Sequence, residues 1–425
     1  MEPRGPLTAP AFRTLWAAGL ISDAGDWLLL IALPIVVFEL TGSALGTAAA
    51  FAAELAPGIV LAPVSGRLAD AVDGRALLTT VSALQALALL PLLVAGDRAG
   101  LPIVYAVIIA QASLAAVFNP TKNALLATLV DRDQRVSANA LMGLGAGLGR
   151  LVGGPLGGLL LAVGSLHAVV MADAISFATA GLLIARLPRR EAPSLRREPI
   201  APPTATNGIR DALRDRRIRG ALLVTVVAAT AQGIFVVLFV VFVARRLHGG
   251  PAETGLLRGV QAVGAIGGGL LLAVRGDRWR PAALVAGAAI AFGVVDLAIW
   301  NGPLVTRSEA VYVVLFVLAG APGVAMESAG VSFLQSTSRD HERGRVFAAF
   351  GLAENAGAVL GFTAAGVLAA PLGLMTLLNA QGTLYVLSGM LVALWVRRAR
   401  PSRSAHRRKV SGRGDRAAAR SAARS

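Results

Sequence analysis

The chain has 425 residues, of which 55% are hydrophobic and only 15% charged, with a mean hydropathy of +0.68 and a formal net charge of +16. That composition excludes an ordinary soluble globular protein, in which about a quarter of the residues are charged. The absence of cysteine excludes disulfides, a thiol nucleophile and a zinc–thiolate site.

Crossing about 30 Å of hydrocarbon takes roughly 20 mostly apolar residues. Twelve such runs predict an all-α membrane protein with twelve transmembrane helices, at 13–38, 43–65, 76–96, 102–127, 138–163, 167–187, 218–243, 253–274, 281–300, 310–334, 345–369 and 372–396. The first run is too long for a signal-peptide core, contains Asp23 and Asp26 and has no clear small-residue cleavage site, so it is expected to stay as a helix. Spaced three apart, Asp23 and Asp26 occupy neighbouring positions on one helix face near mid-run. A charge there costs about 2.5 to 3.5 kcal/mol on insertion scales, so it faces a cavity or a partner. Carboxylates in such a setting can bind and release a proton, and Trp27, beside Asp26, offers a ring on which an apolar substrate can stack. The competing reading is that one of the pair caps a kink or neutralises a basic residue.

Glu54 is the buried charge of the second run. Between the second and third runs lies a charged island, Gly66-Arg-Leu-Ala-Asp-Ala-Val-Asp-Gly-Arg75, containing Asp70. Lys122, in the fourth run, and Arg258, in the eighth, lie towards span ends and are expected to snorkel to the interface. The fifth run contains Gly149-Arg-Leu-Val-Gly-Gly-Pro-Leu-Gly-Gly158, where Gly154, Pro155, Gly157 and Gly158 permit close helix approach and bending. The alternative is ordinary packing in a chain with 48 glycines. Arg150, inside that segment, needs a partner. Residues 188–217 are the only long polar insertion between runs. They separate an N-terminal block, 1–187, from a C-terminal block, 218–396, whose buried charges include Glu327 and Glu354. A basic tail, 397–425, follows; too poor in apolar residues to bury a core, it is expected to be disordered and to meet anionic lipid rather than nucleic acid.

With the amino terminus inside, the outer loops hold only Arg98, Arg245, Arg246 and Arg307, whereas 33 of the 40 basic residues fall on the inner side. The positive-inside rule then predicts a multi-pass protein of the cell (plasma or inner) membrane with both termini cytoplasmic.

The spacing of Gly66, Asp70 and Arg75 resembles the loop between the second and third helices of major facilitator superfamily transporters. The copy is degenerate: Ala71 replaces the usual basic residue, and Asp73 and Gly74 stand where glycine and arginine are expected. A displacement of 207 or 208 residues sets Asp70 opposite Asp277, Asn119 opposite Glu327, Arg135 opposite Arg343 and Gly153 opposite Gly361. Phe118-Asn-Pro-Thr-Lys-Asn-Ala-Leu-Leu-Ala-Thr-Leu-Val130, Asp173-Ala-Ile-Ser-Phe177 and Arg343-Gly-Arg-Val346 resemble the branch containing the enterobactin exporter and macrolide efflux proteins. The glycine–proline segment of the fifth run is similar to the motif that antiporter members carry there, one residue shorter.

The resemblance implies two pseudo-symmetric six-helix bundles with a substrate site between them. Asp23, Asp26, Trp27 and Glu327 would then face substrate or protons. Glu54, Arg150 and Glu354 would form ion pairs between the halves, and Gly66, Asp70 and Arg75 with Asp277 would act as conformational latches. It also implies proton-driven export of a small amphipathic or hydrophobic molecule, such as a drug, siderophore or other metabolite. Lysophospholipid movement, solute uptake, and a transport-dead sensor or scaffold remain as alternatives. The only lysines, Lys122 and Lys409, do not follow glycine, so there is no Walker A signature. The four scattered histidines propose no metal site; neither enzyme chemistry nor a cofactor is expected.

The latch reading predicts that Asp70→Asn lowers transport by shifting the balance of access states while the protein still folds. Unchanged access-state populations, measured by accessibility labelling of single introduced cysteines, together with normal transport, would remove it.

Overall fold

The computed structural model describes residues 5–188, 216–338 and 343–398. Almost all of the predicted 188–217 insertion and the tail beyond Arg398 lie outside the described residues, as do the side chains of Asp70 and Asp277. Every described element is helical. By length and composition, eleven helices among the described residues can cross a membrane. The α-helices within these spans are α1 (Pro10–Thr41), α2 (Ala44–Ala71), α3 (Gly74–Ala88), α4 (Leu101–Leu129), α5 (Arg135–Ala185), α6 (Arg216–Phe242), α7 (Pro251–Arg275), α8 (Pro281–Asn301), α9 (Glu309–Thr337), α10 (Arg343–Leu372) and α11 (Leu374–Arg398), the third span running on to Val94.

The ends are set by local chemistry. Gly42, at φ 66°, takes the left-handed conformation that ends α1, a position glycine occupies without steric cost. Ser43 Oγ then accepts the Leu45 N–H at 3.1 Å and starts α2. The third run is shorter as an α-helix than predicted: α3 stops at Ala88, and Leu90–Val94 continues as a 3₁₀ turn. Pro91, lacking an N–H, cannot extend the α-helical ladder.

Two predicted runs merge in α5. At 51 residues it would be roughly 75 Å long if straight, far more than a bilayer needs. It breaks at Ser165, whose φ of 68° and ψ of 178° are non-helical. Before the break, Gly145 packs on Trp16 and Gly157 on Leu28 of α1. After it, Leu166, Val169 and Val170 join the cluster of Leu28 to Val37, while Ala180 and Ile184 join Phe12, Leu15 and Ala18. The two pieces of α5 therefore run along α1 in opposite senses.

Contact between helices from the two sides of the 188–217 insertion is closest where α5 crosses α7. There a Cβ added to Gly158 would collide with the Pro251 carbonyl oxygen, and one added to Gly255 with that of Gly154. At the same end of the molecule, Arg245 Nη2 donates to the Gly42 carbonyl at 3.1 Å, Phe51 stacks on Phe362 at 5.8 Å, and Gly366 packs on Leu45 and Ala48. The opposite end is loose. Added Cβ atoms at Gly58 and Gly66 of α2, Gly143 of α5, and Gly344 and Gly351 of α10 would meet nothing within 4 Å, whereas Gly357 and Gly361, farther along α10, pack against α6. Close contacts between the two sides of the insertion gather at the end carrying the turns at Gly42, Gly250 and Gly373.

Gly158→Ala should force α5 and α7 apart and lower the melting temperature of the purified protein by several degrees, corresponding to an overpacking cost of about 1 to 3 kcal/mol. Gly351→Ala, in open space within a helix, should leave it unchanged or raise it. Equal melting of the two variants would contradict the packing of the crossing.

Candidate functional site

Two cavities lie where α1, α2 and α5 face α6, α7, α9 and α10, and a third lies within the group formed by α1, α2 and α4. The largest, about 620 Å³, is lined by Arg150, Gln232, Arg258, Gln261, Glu327 and Glu354 among others. A second, of about 330 Å³, has Phe51, Glu54, Phe239, Arg258 and Phe362 in its wall. The third, of about 280 Å³, lies against α1, with Asp26, Trp27, Glu54 and Gln111 in its wall.

Asp23 and Lys122 form the only ion pair within 4.0 Å among the described residues, at 3.5 Å, with side-chain exposures of 19% and 12%. Lys122 also lies 5.6 Å from the centre of the Phe118 ring. It does not snorkel: the lysine turns inward because a carboxylate one helix away compensates its charge better than a route to the interface. Asp26, three residues on, points elsewhere. It is exposed to the 280 Å³ cavity, whose wall it shares with Glu54, and it lies in the electrostatic field of Asp23, Lys122 and Glu54. Glu54 is likewise open to cavity space and has no ion-pair partner within 4.0 Å among the described residues.

Arg150 and Arg258 meet at the α5–α7 crossing. Arg150 Nη2 donates to Gln261 Oε1 at 2.5 Å and Arg258 Nη1 donates to the same oxygen at 3.0 Å. Trp27 lies beside both guanidinium groups, 4.9 Å from Arg150 and 5.9 Å from Arg258, and Arg258 also stacks 4.8 Å from the Phe235 ring. Arg258, too, is an interior residue rather than a snorkelling one. Aromatic faces attract cations, so Trp27 and Phe235 stabilise charges that carry no carboxylate partner. Glu327 and Glu354 both line the largest cavity and act electrostatically on each other.

Gly154 and Gly158 form the crossing with α7, Gly157 packs on Leu28, and the Pro155 ring lies against Gly259. In the charged island, Asp73 caps α3, its carboxylate accepting the Arg75 N–H at 2.9 Å. Arg75 Nη2 in turn donates to the Ala185 carbonyl, tying the island to the end of α5. A Cβ added at Gly66 would meet nothing within 4 Å.

Sequence reasoning missed a second set of buried polar groups. Asp296 Oδ2 accepts Gln381 Nε2 at 2.6 Å, and Trp300 Nε1 donates to Gln381 Oε1 at 2.8 Å. Asp173 Oδ1 accepts Ser176 Oγ at 3.0 Å, and one oxygen of each aspartate is buried without a partner. Both are lone acids in apolar runs, the same signal that singled out Asp23 and Asp26. Among the described residues, no group of three or more His, Asp or Glu could hold a metal ion.

A family model described as "transmembrane secretion effector" matches residues 1–410. The chain is 27% identical to the MFS-type transporter YfiS of Bacillus subtilis (strain 168), over 90% of this chain and 92% of YfiS. Among solved structures, a bacterial homologue of the iron transporter ferroportin in an inward-facing state superposes with a TM-score of 0.70 at 16% identity, covering 91% of this chain and 98% of that one. The nucleoside transporter NupG superposes with a TM-score of 0.71 at 12% identity, covering 91% and 98%. These two share the fold. With the family model spanning nearly the whole length, the chain belongs to the MFS-type transporters, as an all-helical protein with several membrane spans.

Proposed function

We propose that the protein is a secondary active transporter of the cell membrane that exports a small amphipathic or hydrophobic molecule by proton antiport through alternating access. The observation that carries this reading is the pairing of Asp26 with Glu54 around one cavity, both open to it and neither in an ion pair. A charge left without a partner in a membrane interior is costly, and a proton is the smallest species that removes it. A cavity offering two such acids beside aromatic walls suits exchange of a proton for an apolar or amphipathic substrate.

Counting each piece of α5 as a span gives twelve, arranged as halves 1–187 and 218–396. Among the described residues, Arg67, Arg75, Arg132, Arg135, Arg186, Arg275, Arg278 and Arg280 lie at the end carrying the turn at Val72, against Arg98, Arg245, Arg246 and Arg307 at the other, so the former end is taken as cytoplasmic. The description of the matching family as secretion effectors supports the export direction. In this reading the tail beyond Arg398 lies against anionic lipid, and the Asp23–Lys122 pair orients the first helix against the fourth.

In proteoliposomes with a pH gradient, a panel of lipophilic cations, macrolides and siderophores should contain a compound that triggers proton flux. Asp26→Asn should reduce that flux at least tenfold, with folding intact by melting temperature. Wild-type flux in Asp26→Asn removes the proton role. No flux with any compound, combined with tail-dependent capture of a partner protein, would favour a sensor or scaffold.

A further inference from the structure

We propose that Arg150 and Arg258 form an oxyanion site, and that the substrate carries a carboxylate or phosphate on a flat apolar body. This deepens the transport reading, on which it rests only for calling the occupant a substrate. The two guanidinium groups come from helices on opposite sides of the 188–217 insertion, yet both donate to the single oxygen Gln261 Oε1. A carboxamide oxygen carries no net charge, so it accepts two hydrogen bonds without neutralising either cation. No carboxylate lies within 4.0 Å of either arginine among the described residues, and Arg150 Nε is buried with no acceptor. Both arginines line the 620 Å³ cavity. Two paired cations with donors to spare, held by stacking, are matched by a planar oxyanion that takes parallel N–H bonds from a guanidinium fork.

The surroundings specify the rest of the molecule. The Trp27 and Phe235 rings hold the arginines, and Phe292, Val324 and Met326 supply apolar wall in the same cavity. Glu327 is the acid that acts electrostatically on Arg150, without reaching ion-pair distance. It competes with an incoming anion, so removing its charge should tighten anion binding. A simple structural role for the arginines predicts no such gain.

The test is equilibrium dialysis of the full chain in nanodiscs against three probes sharing one ring system: naphthalene-2-carboxylate, 2-naphthyl phosphate and 2-naphthylmethanol. At least one anion should bind tenfold or more tightly than the alcohol, and the tighter anion identifies the head group. Arg150→Gln and Arg258→Gln should each weaken that anion at least tenfold, Glu327→Gln should strengthen it several-fold, and the alcohol should not respond. If either glutamine variant fails to fold, Arg150→Lys or Arg258→Lys replaces it; each keeps the charge and loses the fork, and should weaken the anion by less. An alcohol that binds as tightly as both anions, absence of anion binding, or anion affinities unchanged in folded arginine variants would overturn the site. Anion preference without proton flux from any compound would count against the transport reading alone, and flux without anion preference against this site alone.

Discussion

The approach of α5 to α7 is the constraint on which the rest of the interior depends. Gly154 and Gly158 meet Gly255 and Gly259 with backbone nearly touching backbone, a distance that any side chain would prevent. Because the helices are that close, Arg150 on one and Arg258 on the other can reach the same glutamine oxygen. A wider crossing would leave two guanidinium groups apart in a low-dielectric interior, each needing its own acceptor. The glycines and the arginines are thus one device: small residues set the spacing, and the spacing decides where charge can be held. Along α5, the same four-residue repeat that presents Gly154 and Gly158 to α7 also presents Gly149, Gly153 and Gly157 to α1, so Trp27 is brought against Arg150 by the same geometry.

Charge inside the membrane is handled in three different ways. Asp23 and Lys122 neutralise each other directly. Asp173 and Asp296 are fully enclosed and held by Ser176 and Gln381 through one oxygen each. Asp26 and Glu54 have neither arrangement and are open to cavity space instead. A fixed ion pair resists change, because removing one partner strands the other charge at a cost of about 3 to 5 kcal/mol. An acid facing a cavity has no such tie.

The long apolar runs and the polar insertion at 188–217 made the helical membrane architecture legible, since length and hydropathy depend only on crossing hydrocarbon. The runs at 138–163 and 167–187 were separable in sequence although the helix between them is continuous except at Ser165; a short gap with little polarity suffices for a turn when one residue takes a positive φ. Asp26 and Glu54 stood out as charges in apolar runs, but the cavity they share could not be read, because it depends on how α1 leans on α2. Lys122 and Arg258 were misjudged for the same reason: position along a span was visible, while the acid or ring waiting on the neighbouring helix was not. Gln261 carried no signal at all, being an uncharged residue whose importance comes entirely from the two arginines that converge on it.

Glu54 and Arg258 line the same 330 Å³ cavity without forming an ion pair. One belongs to a helix before the polar insertion and the other to a helix after it, so a rearrangement at the crossing changes their separation. An occupant lying between them feels both charges, and each charge feels the occupant.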